Sequence, residues 1–161
     1  MEEHPAGPVG RVEARLRQLG YEGPLHRTED TIFTVEDASR SVGAPAEHIL
    51  KSLLVRVDRG PLALVLLSGP NRVDLKKAKA LLGARTVTLA DPETVVALTG
   101  FRPGGVPPLG YEEQPPTLLD QDLFAYPVVW AAAGDDHTFF PVAPETLREY
   151  TGGARADVRK A

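Results

Sequence analysis

The chain reads as an α+β domain: a mixed, partly barrel-like β-sheet flanked by helices. Three observations lead there. Strand-like runs come in pairs joined by short turns, 49–57 with 61–68 and 127–133 with 137–142. Helical stretches fall between them without the regular strand–helix alternation of a doubly wound parallel sheet. The length of 161 residues, with 42% hydrophobic and 25% charged, suits one globular unit, and there is neither an internal repeat nor a low-complexity linker. The expected organisation is a single domain with an N-terminal helix within 1–24, a core over 25–152 and a basic tail over 153–161.

The elements follow in order. Val9, Val12, Leu16 and Leu19 recur at helical spacing, with Gly20 placed for a left-handed C-cap. Thr34 is a good N-cap for a short helix ending near Gly43. The runs 49–57 and 61–68 form a hairpin across Asp58-Arg59-Gly60. Asp74 caps a helix through Leu82 that Gly83 stops, and 85–90 alternates as a strand. Asp91-Pro92 supplies a cap and a first-turn proline for a helix ending near Gly100. Prolines and glycines then punctuate 101–116 as a loop. A second hairpin turns at Gly134-Asp135-Asp136, and Pro144 opens a last helix that ends at Gly152-Gly153.

Composition excludes whole classes of function. With no cysteine, disulfides, thiolate metal sites and cysteine nucleophiles are ruled out. No run approaches a membrane span, and an acidic, Pro/Gly-rich start is unlike a signal peptide, so a cytoplasmic location without a membrane partner is expected. A net charge of −4 argues against a protein that coats DNA.

Four features could carry chemistry. Lys51 shares a strand face with Ile49, Leu53 and Val55, where an ammonium is costly unless it is paired, reaches a polar cavity or snorkels to the rim. The loop Gly100 to Gly110 is rich in glycine and proline, so it could present backbone N–H groups to a carbonyl oxygen, or be a rigid surface loop. Gly134-Asp135-Asp136-His137 could bind a metal or move protons, although turns use the same residues. His4, His26 and His48 offer no paired-histidine spacing, so no metal and no cofactor is expected. Finally, Arg72, Lys76, Lys77, Lys79 and Arg85 concentrate positive charge on an acidic protein, either as a solvated helix face or as a phosphate-tracking patch.

Taken in order, these pieces resemble the YbaK/prolyl-tRNA-synthetase-associated editing domain family. The resemblance covers roughly residues 25–152. It rests on His26, Ser41-Val42-Gly43, the strand Ile49 to Val55, Asn71 to Lys77 and Leu98 to Gly110, closing with Ala132-Ala133-Gly134. It implies a deacylase for mischarged aminoacyl-tRNA, of a small amino acid such as alanine or cysteine, on proline tRNA. The acceptor end of the tRNA would be the partner, with an aminoacyl-tRNA synthetase as a possible second one. Lys51 then corresponds to the family's active-site lysine, near the terminal adenosine. Gly105-Val106-Pro107-Pro108 corresponds to the loop whose backbone holds the ester carbonyl, which makes Lys51, Gly105 and Pro108 the catalytic candidates. His26, Val106, Pro107, Ala132, Gly134 and His137 become substrate-binding candidates, and Arg72, Lys76, Lys77 and Lys79 the tRNA patch. Many relatives carry a serine where this chain has Ala132, so a pocket hydroxyl would be missing. An activated ester needs positioned water, carbonyl polarisation and proton transfer, with help from the ribose 2′-OH, rather than a strong protein nucleophile. Two alternatives remain open at this point: a non-catalytic module that binds tRNA or a synthetase, and a metal-dependent hydrolase using Asp135, Asp136 and His137.

Overall fold

The computed structural model describes residues 7–29, 31–32 and 34–161. His4 and the rest of the acidic start lie outside the described residues. Helix α1 (Gly7–Gln18) buries Val12 and Leu16. A two-residue strand β1 (His26–Arg27) leads to α2 (Val35–Val42), whose Thr34 and Asp37 cap each other's backbone reciprocally. The long hairpin β2 (Leu50–Val57) and β3 (Leu62–Ser68) follows, then α3 (Leu75–Leu82), β4 (Val87–Leu89) and α4 (Pro92–Thr99). After the glycine–proline loop come β5 (Thr117–Asp120), the hairpin β6 (Val129–Ala132) and β7 (Thr138–Val142), α5 (Pro144–Thr151) and β8 (Ala154–Ala156). None of the described helices is long and apolar enough to cross a membrane.

The strands form two sheets. The larger runs β4-β2-β3-β5-β8, antiparallel on the β4 side and parallel from β3 to β8, so it is mixed as expected. The smaller, β1-β7-β6, is antiparallel. They do not close into a barrel: among the described residues a single parallel bridge, Ile49 to Trp130, joins them. One core fills the space enclosed by α1, both sheets and α5, with Leu64, Leu66, Leu119, Phe140 and Leu147 fully buried. A second lies on the other face of the larger sheet, where Val55, Val65 and Leu67 pack under Ala78 of α3.

Two details add to what the sequence predicts. The turn at Asp58-Arg59-Gly60 joins a hairpin, and two of its residues, Asp58 (φ 53°) and Arg59 (φ 61°), are left-handed without being glycine. The Asp58 carboxylate compensates by accepting the amides of Arg85 at 2.7 Å and Thr86 at 2.9 Å, which anchors the turn to the approach to β4. The basic segment 153–161 packs back onto the larger sheet. It adds β8 beside β5, buries Val158 completely, and pairs Arg159 with Val73. Charge at every other position masked a segment whose one fully buried residue is a lone valine.

Candidate functional site

The site lies where strand pairing lapses. β2 is bonded to β3 from Leu50 to Arg56, but β4 pairs only with Val55–Val57 on its other side, and among the described residues the one bridge to β6 is at Ile49, just ahead of β2. The gap is a cleft of about 500 Å³. Lys51, Ser52, Leu53 and Leu54 line it from β2. Val35 and Ala38 of α2, Val95 of α4, Ala132 and Phe139 of the smaller sheet, and Pro103, Gly104 and Val106 of the loop complete its walls. Its surface is largely apolar, with the half-buried Lys51 as the one charged side chain lining it among the described residues.

The glycine–proline loop is held rigidly. Phe101 and Leu109 are fully buried, and the guanidinium of Arg11 sits 4.5 Å above the Phe101 ring while donating to Thr99 O at 2.7 Å. The Tyr111 hydroxyl donates to Pro107 O at 2.7 Å, and burial pushes its phenol well above the ordinary range. A Cβ at Gly105 would lie 2.6 Å from Asp135 Cα, so only glycine lets the loop seat against the β6–β7 turn. Gly105 N–H donates to Arg102 O at 3.0 Å and is therefore used within the loop. Pro107 and Pro108 have no N–H to give. That leaves Val106, whose amide has no protein acceptor among the described residues.

Lys51 is positioned by groups the sequence reading did not assign. Its ammonium donates to Asn71 O at 2.6 Å. The Asn71 amide nitrogen in turn donates to Asp120 at 2.7 Å and Asp122 at 2.9 Å. Asp120 is fully buried and also accepts from the amides of Ser68 at 3.1 Å and Asp122 at 2.9 Å. Arg159, from the C-terminal segment, pairs with Asp122 at 3.3 Å. Burial lowers the pKa of Lys51 from 10.5, and nearby Arg72 lowers it further, while Asp120 and Glu36 pull it back up. A carboxylate closing the apolar run Leu118-Leu119 was the available signal for Asp120. The contribution of Asn71 comes through a carbonyl, which no side-chain pattern reveals.

The other sequence-predicted residues divide. Lys51, Val106 and Ala132 share the cleft, and Gly105, Pro107 and Pro108 are buried in the loop that forms its wall. His26 is exposed on β1, edge-to-face with Trp130 at 5.9 Å, and borders a separate hollow. Gly134 (φ 110°) packs against the start of α1, where a Cβ would come within 2.8 Å of Pro8 C and O. The His137 ring pairs with Asp136 at 3.3 Å, and its amide donates to Asp135 at 2.9 Å, all within the β6–β7 turn. Among the described residues, no group of three or more His, Asp or Glu is arranged to hold a metal ion. Of the basic patch, Arg72, Lys76 and Lys79 are exposed, whereas the Lys77 ammonium is tied to Asp157 at 3.0 Å and Arg159 O at 2.8 Å.

Comparison with known proteins agrees with this architecture. A crystal structure provisionally described as a trans-editing enzyme for prolyl-tRNA synthetase superposes with a TM-score of 0.90 at 37% identity, over 98% of this chain and 99% of the other. The uncharacterised YwhH of Bacillus subtilis is 29% identical over 87% of this chain and 88% of its own length. EbsC of Enterococcus faecalis, provisionally described as a Cys-tRNA(Pro)/Cys-tRNA(Cys) deacylase, is 26% identical over 78% of this chain and 77% of its own. Residues 29–150, which carry the lysine strand, the glycine–proline loop and both walls of the cleft, match the family model for the aminoacyl-tRNA editing domain. The chain belongs to that family.

Proposed function

We propose that this protein is a trans-acting aminoacyl-tRNA deacylase that removes a small mischarged amino acid, alanine or cysteine, from proline tRNA. The observation that carries this reading is the convergence of Lys51, the Val106 amide and Ala132 on one cleft of about 500 Å³. That volume suits a small aminoacyl group with part of the terminal nucleotide. In this reading Lys51 meets the terminal adenosine end, its ammonium held on target by Asn71 O. Val106 N–H polarises the ester carbonyl, since it is the amide of Gly105-Val106-Pro107-Pro108 not already used or missing. The rigid loop lets that donor act without reorganisation as negative charge develops on oxygen. A positioned water attacks, and the neighbouring ribose 2′-OH moves the proton. Ala132 sets the wall that limits side-chain size. Arg72, ahead of α3, and Lys76 and Lys79 on its exposed side track acceptor-stem phosphates. His26 and Gly134 take no part, because each is engaged away from the cleft.

The test is a panel of charged tRNAs incubated with the protein, wild type beside Lys51→Ala. Turnover of a small-aminoacyl tRNA by the wild type and a loss of roughly 100-fold in the variant are expected. No turnover of any member would sink the proposal, and tRNA binding without turnover would favour a binding module. Equal turnover by the variant would remove Lys51 from its role.

A further inference from the structure

A second feature of the cleft concerns backbone rather than side chains. Within β2, successive residues point their N–H and C=O groups to opposite sides of the strand. Leu54 O accepts from Ala90 N at 3.0 Å and Asp58 N donates to Thr86 O at 2.9 Å, so the even-numbered residues face away from β3. Ser52 belongs to that set. It lies beyond the last β4 bond and short of the Ile49 bridge to β6, and it lines the cleft. Among the described residues no strand is bridged to it on that side, and its buried hydroxyl has no hydrogen-bond partner. Unpaired backbone groups in an apolar cleft are costly until something pairs with them.

We propose that Ser52 binds the aminoacyl group as a one-residue antiparallel strand: its C=O accepts from the substrate's α-ammonium and its N–H donates to the ester carbonyl. The proposal rests on the deacylase reading and names how that site holds its substrate. An aminoacyl ester carries one donor and one acceptor, spaced as in any residue, which is the pair that two opposed residues of an antiparallel ladder exchange. Direction follows from this geometry. The substrate must run opposite to β2, so its ester oxygen and ribose leave on the Lys51 side and its ammonium lies towards Leu53. The amino-acid side chain then stands perpendicular to the sheet, which makes the site sensitive to both its size and its handedness. The ester carbonyl has two lone pairs, so Ser52 N–H and the Val106 amide can both donate to it.

The experiment compares alanyl-tRNA with propionyl-tRNA, which lacks only the amine, each enzymatic kcat/KM being divided by the uncatalysed hydrolysis rate of the same ester. A deficit of roughly 10- to 100-fold for the propionyl ester is expected, as for a lost hydrogen bond to a charged group. Ser52→Pro removes the N–H from a position that gives no bond to β3, so it should fold and lose at least about tenfold in kcat/KM on alanyl-tRNA. Equal normalised rates for the two esters, or a folded Ser52→Pro with undiminished rate, would overturn the proposal while leaving the deacylase reading intact. A wild type that hydrolyses no aminoacyl-tRNA would instead bring down the deacylase reading, and this one with it.

Discussion

The two halves of β2 make an instructive contrast. From Val55 to Val57 the strand has β3 on one side and β4 on the other, and Val55 is completely buried. From Lys51 to Leu53 it keeps β3 alone, and the same strand becomes the floor of a cleft. Neither half is more irregular than the other. What differs is whether a third strand arrives, so an ordinary ladder ends in a stretch with no strand bridged to its outer side and a lysine beside it. The doubly paired half fixes the register, and register decides which groups the open half presents.

Substitutions can break that contrast. The largest expected effect on stability is in the paired half: Val55→Ala removes two buried methyl groups and should cost about 2 to 3 kcal/mol in denaturant unfolding, with little change in kcat/KM. A loss of activity greater than the loss of folded protein would show that the halves are not separable.

Asp120→Asn acts on the open half through Asn71. It turns an acceptor of three hydrogen bonds, one of them from the Asn71 amide, partly into a donor. A stability loss of about 1 to 2 kcal/mol and a fall of about tenfold in kcat are expected, with KM for tRNA nearly unchanged. A change confined to KM would mean that the network serves binding and not the placing of Lys51.

The smallest effect is on titration. Burial is the larger cause of the depressed Lys51 pKa and Arg72 the second, so Arg72→Gln should raise it towards 10.5 without reaching that value. The linkage has a definite sign. Between the lowered value and 10.5 the unfolded chain binds more protons than the folded one, so the contribution of Lys51 to stability rises with pH across that window. Heteronuclear NMR of the Lys51 side chain in both proteins would read the shift directly, and a downward shift would contradict the assigned cause.

Much of the local structure was legible from residues alone. The reciprocal caps of Thr34 and Asp37, Asp74 ahead of α3, Asp91-Pro92 ahead of α4, and the left-handed Gly43, Gly83, Gly100 and Gly152 all act within a few residues of themselves. Both hairpins were readable for the same reason, since a turn and its two strands are contiguous. The misses share the opposite property. β5 and β8 pair in parallel with strands far away in the chain, and β8 offers only Ala154-Arg155-Ala156 as its signal. The mixed, partly barrel-like arrangement expected from the sequence is two sheets that do not close, because closure depends on how far β4 and β6 extend along β2.

The site divides along the same line. Lys51 stands out in the sequence because a charge on an apolar strand is costly, and the glycine–proline loop because its composition permits few conformations. Those are local energies, and local energies are written in local sequence. Ser52, Asn71 and Asp120 join them only through backbone atoms and a buried carboxylate brought from fifty residues away. Every residue but proline has the same N–H and C=O, so the sequence cannot mark which of them a neighbouring strand will pair; the arrangement of the strands decides that.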